Sequence, residues 1–186
     1  MEQNLLTKNI WGEAGKSGLV LGLISIAYMF FNQIIASSEI QSAFLGTAII
    51  YLLWLAKFIG CIWLMRIFMM NFARNFDIKD AGTIHRFGRA TALLSALLYA
   101  GIAFANTAYL SADLIQEQLS MTLEAYSGLF DSNSKEMMEE MSQNLPQMTF
   151  FSNLIYCFIY GSVLSLILSR TIPSDNPFED NTTEEQ

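Results

Sequence analysis

The sequence predicts an all-α, polytopic membrane protein: four transmembrane helices, with an extramembrane helical hairpin between spans three and four. Three observations predict it. Four apolar stretches are each long enough to cross a hydrocarbon core of ~30 Å, which takes about 20 helical residues. Charged residues make up only 15% of the chain, against about 25% in soluble domains. The basic residues crowd into alternate connections. The 186 residues read as one unit, with residues 1–172 a single transmembrane domain and 173–186 an acidic, disordered cytoplasmic tail. The net charge of −7 disfavours nucleic acid as a partner.

The first span covers residues 17–36 (SGLVLGLISIAYMFFNQIIA). Its apolar region exceeds the ~7–15 residues of a signal peptide, so it reads as a retained helix. The second covers 44–65 and holds one charge, Lys57. The third covers 88–110 and the fourth 149–169. Helix is the only state that bonds every backbone polar group internally in lipid.

Segment 111–148 is acidic but patterned. Leu110, Leu114, Leu119, Leu123, Tyr126 and Leu129 recur at three- and four-residue spacing, which is an amphipathic stripe. Span three is expected to run on through this stripe as one long helix. Asp131 to Ser134 reads as a break with an N-cap. A second helix over 135–144 carries Met137, Met138 and Met141, and Pro146 opens span four. The two helices would meet through their apolar faces. That hairpin is either a cap joining two spans or a docking surface, since Met-rich faces adapt to varied partners.

Basic residues set orientation. Lys8, Lys16, Arg66, Arg74, Lys79, Arg86, Arg89 and Arg170 fall on one side, and only Lys135 on the other. Both termini are therefore expected in the cytoplasm. Trp63 and Tyr109 suit an interfacial belt. Tyr28, Tyr51, Trp54, Tyr156 and Tyr160, deeper in their spans, read as packing between helices.

Lipid supplies no hydrophobic drive between helices, so small residues make the close contacts. Gly18 and Gly22 form a GxxxG in span one; Ala92, Ala96 and Ala100 line span three; Gly161, Ser165 and Ser169 form a ridge on span four. These ridges fit an intramolecular seam or a homo-oligomer equally well. Asn32, Gln33 and Asn106 are expected to hydrogen-bond between helices near the outer ends.

Lys57 lies about 12 Å inside the basic face, from the helical rise. Ser25, Ser95 and Tyr160 should share its level, with no carboxylate. A charge at helix centre costs on the order of 3 kcal/mol. Either the ammonium snorkels toward the cytoplasmic headgroups, or it sits in a polar pocket built from Tyr160 and the serines. Cys61 and Cys157 should differ in depth by roughly 10 Å, too far for a disulfide, and read as inert core thiols.

No catalytic set is present. His85 stands alone beside Arg86, and no HExxH or GxSxG occurs. Gly15-Lys16-Ser17 lacks the rest of a P-loop. No cofactor or metal site is expected.

The chain resembles a bacterial family of small four-span membrane proteins catalogued as domain of unknown function 4199. The resemblance rests on Phe87-Gly88-Arg89-Ala90 opening span three, the acidic Met-rich run Lys135 to Met141, and the span from Gly161 to Arg170. It covers residues 10–172 and implies an inner-membrane location, with no assigned activity. The functional expectation is a non-enzymatic scaffold, assembly or regulatory factor acting through 111–148. The alternative is a small oligomeric transporter or channel with Lys57 in its path. Partners are membrane lipid and, through 111–148, a second copy or another protein.

Overall fold

A computed structural model describes residues 2–36, 44–125 and 132–172. The loop 37–43, the turn 126–131 and the tail from Pro173 lie outside the described residues, and with them the expected N-cap at Asp131 and the disordered tail. The described elements are all helical: α1 (Glu2–Ala36), α2 (Phe44–Asn75), α3 (Ala81–Ala105), a π-helical turn (Asn106–Leu110), α4 (Ala112–Ala125) and α5 (Ser132–Thr171). Four segments are long and apolar enough to span a membrane: Thr7–Ile35, Thr47–Asn75, Ala81–Leu110 and Glu140–Thr171. The protein is thus a multi-pass membrane protein by length and composition.

The helices outrun their apolar stretches. α2 continues past Met65 because Met69, Phe72 and Ala73 on the added turns are buried against α3. Phe72 stacks on Phe87 with ring centroids 4.1 Å apart. α2 stops where Asp77 takes a left-handed backbone (φ 47°), and Ile78 N–H bonds the Ala73 carbonyl at 2.8 Å. That is a Schellman close with an aspartate where glycine is usual.

α3 begins at Ala81, ahead of the expected residue 88, because Asp80 caps it. The Asp80 carboxylate accepts from the Thr83 hydroxyl (2.8 Å), Thr83 N–H (2.8 Å) and Gly82 N–H (3.1 Å). These bonds hold its carboxyl below the usual carboxylate range.

Two expectations about the outer region fail. Span three does not run on as one helix. At its end the backbone widens into the π turn, and Ser111 N–H bonds the Asn106 carbonyl at 2.8 Å. Thr107 Oγ1 bonds back to the Ala103 carbonyl at 2.9 Å, and Gln33 Nε2 donates to Ser111 Oγ at 2.8 Å. The Thr107 hydroxyl thus competes locally for a ladder carbonyl where the helix widens. Nor does Pro146 divide two helices. α5 runs through it as 40 residues, a rod of about 60 Å. A proline forfeits one ladder bond, here to the carbonyl of Ser142, beside the exposed Gln143 and Asn144.

α3 is the centre of the bundle, packed on α5 and α1, while α2 touches it more lightly. The small residues explain the close pairs. A Cβ on Gly18 would come 3.0 Å from the Thr91 carbonyl and Leu94 Cβ, and one on Gly161 would come 2.5 Å from Ala92 Cβ. A Cβ on Gly88 would fall on Ser165 Oγ, and one on Gly22 would lie 2.7 Å from Leu98 Cδ2. Ala96 and Ala100 are buried between them. These glycines serve an intramolecular seam. The apolar core gathers at the basic end, from Ile10 and Ala14 of α1 through Met69, Ile84 and Phe87 to Leu168 and Ile172.

Candidate functional site: an intramembrane chamber around Lys57

Beyond that core α2 parts from the bundle and leaves a chamber of about 190 Å³ between α1, α2, α3 and α5. Ser25, Lys57, Ser95 and Tyr160, expected at one level, all line it. Each comes from a different helix, so only the packed bundle assembles the set.

Lys57 does not snorkel toward the basic end. Its Nζ lies over the Tyr28 ring, 4.7 Å from the centroid, and 5.5 Å from that of Tyr99. Tyr28 and Tyr99 follow Ser25 and Ser95 by about one turn, so the ammonium points away from the basic end. Helix geometry gives the reason. Side chains lean toward the N-terminus of their helix, and α2 runs from the acidic end toward the basic end. Two ring faces contribute roughly 0.5–2 kcal/mol each, comparable with the ~3 kcal/mol cost of the charge.

Sequence reasoning assigns Tyr28 only to interhelical packing, and Tyr99 to nothing. A signal exists: each lies three or four residues beyond one of the serines, on the same helix face. The chamber also receives Cys61 and Cys157, both free thiols. The depth count separates them, yet both open on one space.

The polar donors are incompletely used. The Tyr160 hydroxyl is buried with no hydrogen-bond partner, as is that of neighbouring Ser162. None of the residues lining the chamber carries a carboxylate, and the Lys16–Glu13 ion pair, at 2.7 Å, lies at the basic end. That pair borders a second cavity of about 230 Å³ between α1 and α2, where its charges satisfy each other.

On the lipid side the chamber is framed by Trp54 and Tyr156, which are 51% and 72% exposed. Trp54 stacks on Phe58 at 5.5 Å, and Phe58 reaches the Tyr160 ring at 5.8 Å. This aromatic bridge joins α2 to α5 at that level.

His85 lies outside the chamber and is structural in its contacts. Ser165 Oγ donates to the His85 carbonyl at 3.1 Å and lies 3.1 Å from His85 Nδ1. With the hydroxyl hydrogen on the carbonyl, Nδ1 carries its own hydrogen toward Oγ. Of the expected outer hydrogen bonders, Gln33 makes its bond, whereas Asn32 Oδ1 and Asn106 Oδ1 are buried without partners. Among the described residues no three His, Cys, Asp or Glu side chains gather to hold a metal.

No family model matches the chain, and no curated protein or solved structure is similar to it at a significant level.

Proposed function

We propose that this is a non-enzymatic factor of the bacterial inner membrane, with both termini cytoplasmic, and that it acts as a scaffold, assembly partner or regulator through its extracytoplasmic helical segment. One observation carries the reading. Leu114, Met121, Met137 and Met141 are each more than half exposed, and α4 makes little contact with α5. These four apolar side chains are therefore open to a partner. Asp113, Glu117 and Glu140 are exposed in the same two helices. The complementary partner is a protein face with an apolar centre and a basic rim. The cytoplasmic placement of the termini rests on eight basic residues at one end of the bundle.

Photo-crosslinkers placed singly at Leu114, Met121, Met137 and Met141 in cells test the segment. The expected result is one discrete adduct shared by these positions, weakened by salt and lost when Asp113, Glu117 and Glu140 become lysine. Adducts to lipid alone, or none, overturn the reading. Reporters fused at each end test the topology, and activity of either reporter outside the cytosol overturns it.

A second reading is favoured by the chamber itself: a small oligomeric transporter or channel in which Lys57 lines a polar path. Cys61 and Cys157 report on it. A water-filled path predicts that a charged, membrane-impermeant thiol reagent modifies them; a lipid-facing chamber predicts that only a lipophilic reagent does.

A further inference from the structure

We propose that the chamber is a binding site for a single-chain amphiphile with a carboxylate head, of the fatty-acid class, which enters sideways from the lipid between α2 and α5. This goes beyond the external segment and holds or fails independently of it.

Charge comes first. Lys57 is a cation held among Tyr28 and Tyr99 with no carboxylate lining its chamber. Charged groups at this depth pair with one another or with backbone carbonyls. Ring faces soften the cost but supply no counter-ion. A monoanion completes the pair.

Donor number comes next. A carboxylate accepts several hydrogen bonds. Lys57 and Tyr160 line the chamber from two helices, and the buried Tyr160 hydroxyl has no partner of its own. Ser25 and Ser95 add hydroxyls from two more. A neutral head would leave the ammonium as it is; a second cation would be repelled.

Size and route select the class. The chamber's 190 Å³ falls below the ~300–1,000 Å³ of sites that enclose drug-sized ligands. It takes a compact head and leaves the rest of the molecule outside. A phosphodiester head at this depth would drag its glycerol and ester groups into hydrocarbon, where unpaired polar groups are costly. A carboxylate on an alkyl chain brings nothing else polar. Trp54 and Tyr156 frame the opening and remain half or more exposed. Leu55, Ile155 and Ile159 on the same two helices are exposed as well, so the lipid-facing surface available to the chain is apolar.

The test uses the full chain in zwitterionic phosphatidylcholine nanodiscs, with a diazirine-bearing palmitate as probe. Saturable adducts are expected on α2 near Trp54 and on α5 near Tyr156. Palmitate should displace the probe, and palmityl alcohol should not. K57M should weaken labelling about tenfold or more, as loss of a charge-assisted bond implies, while K57R keeps part of it. Y160F, which retains the ring, should weaken it less. On the unaltered protein, palmitate should protect Cys61 and Cys157 from N-ethylmaleimide, a readout that survives any folding failure of the variants. Equal competition by the alcohol overturns the proposal in favour of an apolar crevice. Competition by phosphatidic acid and not by palmitate overturns it in favour of a phospholipid head. Unsaturable labelling, unprotected thiols or undiminished labelling of folded K57M also overturns it.

Discussion

The two halves of this bundle solve the same problem in opposite ways. At the basic end α3 and α5 meet so closely that Gly88 lies under Ser165. Toward the acidic end α2 stands off, and Lys57 occupies the gap with two tyrosine rings. Lipid is as apolar as leucine, so neither half is driven together by water. Contact is won by surfaces that let backbones approach, and lost where α2 stands off around Lys57. The dense half holds the fold together; the open half has room for chemistry.

The largest way to break this contrast is to fill the dense seam. Gly88→Leu places a side chain on Ser165 and is expected to cost about 3 kcal/mol or more, beyond the usual range for overpacking. Steric trapping of the reconstituted protein measures it, and wild-type stability would show that the seam is looser than it stands. Ser165→Ala removes both contacts with His85 and should cost about 1–2 kcal/mol, near the upper range for interhelical bonds in membranes. His85→Ala on top of it should add little, since the two share one interaction.

In the open half the same measurement should respond weakly. Lys57→Leu gives up two ring contacts and an intramembrane charge of similar magnitude, so stability should stay within about 1 kcal/mol of wild type. A large loss would make Lys57 a structural element of the bundle and erase the contrast.

The smallest effect lies at the cap of α3. The Asp80 carboxyl is held below its unfolded value. Its contribution is therefore fully present above the unfolded pKa of about 3.9 and is lost as pH falls through the lower folded value. Carbon NMR of the Asp80 carboxyl should show titration below that of a free aspartate. Asp80→Asn, which keeps a cap without a titrating acid, should flatten the small loss of α3 order at low pH. Titration at the free value would remove the cap from the account.

Much of this molecule is legible in its residues because lipid imposes few solutions. Stretches of about 20 apolar residues must be helices, and small residues at four-residue spacing mark where helices can meet. Ser25, Lys57, Ser95 and Tyr160 can be matched by counting rise per residue from the span ends, and they share one chamber. The count does not show that Cys61 and Cys157 line that chamber too. It also misses the lean of Lys57, which depends on the direction of α2.

Helix ends are the least legible. Apolar length gives the lipid limits, but caps and tertiary contacts decide where a helix stops. Asp80 starts α3 early, and Phe72 stacked on Phe87 carries α2 far beyond Met65. Beside the π turn after Ala105, Gln33 from another helix reaches the Ser111 hydroxyl. No local pattern announces such a contact.

The chain by itself therefore determined its solvent, its four crossings and which residues could touch, since each follows from transfer energies and a fixed helical repeat. The tertiary structure alone decided that α2 stands apart, that Lys57 faces Tyr28 and Tyr99, and that a chamber exists. Those depend on how far side chains from separate helices hold the backbones from one another, a property of pairs that no single stretch of sequence contains.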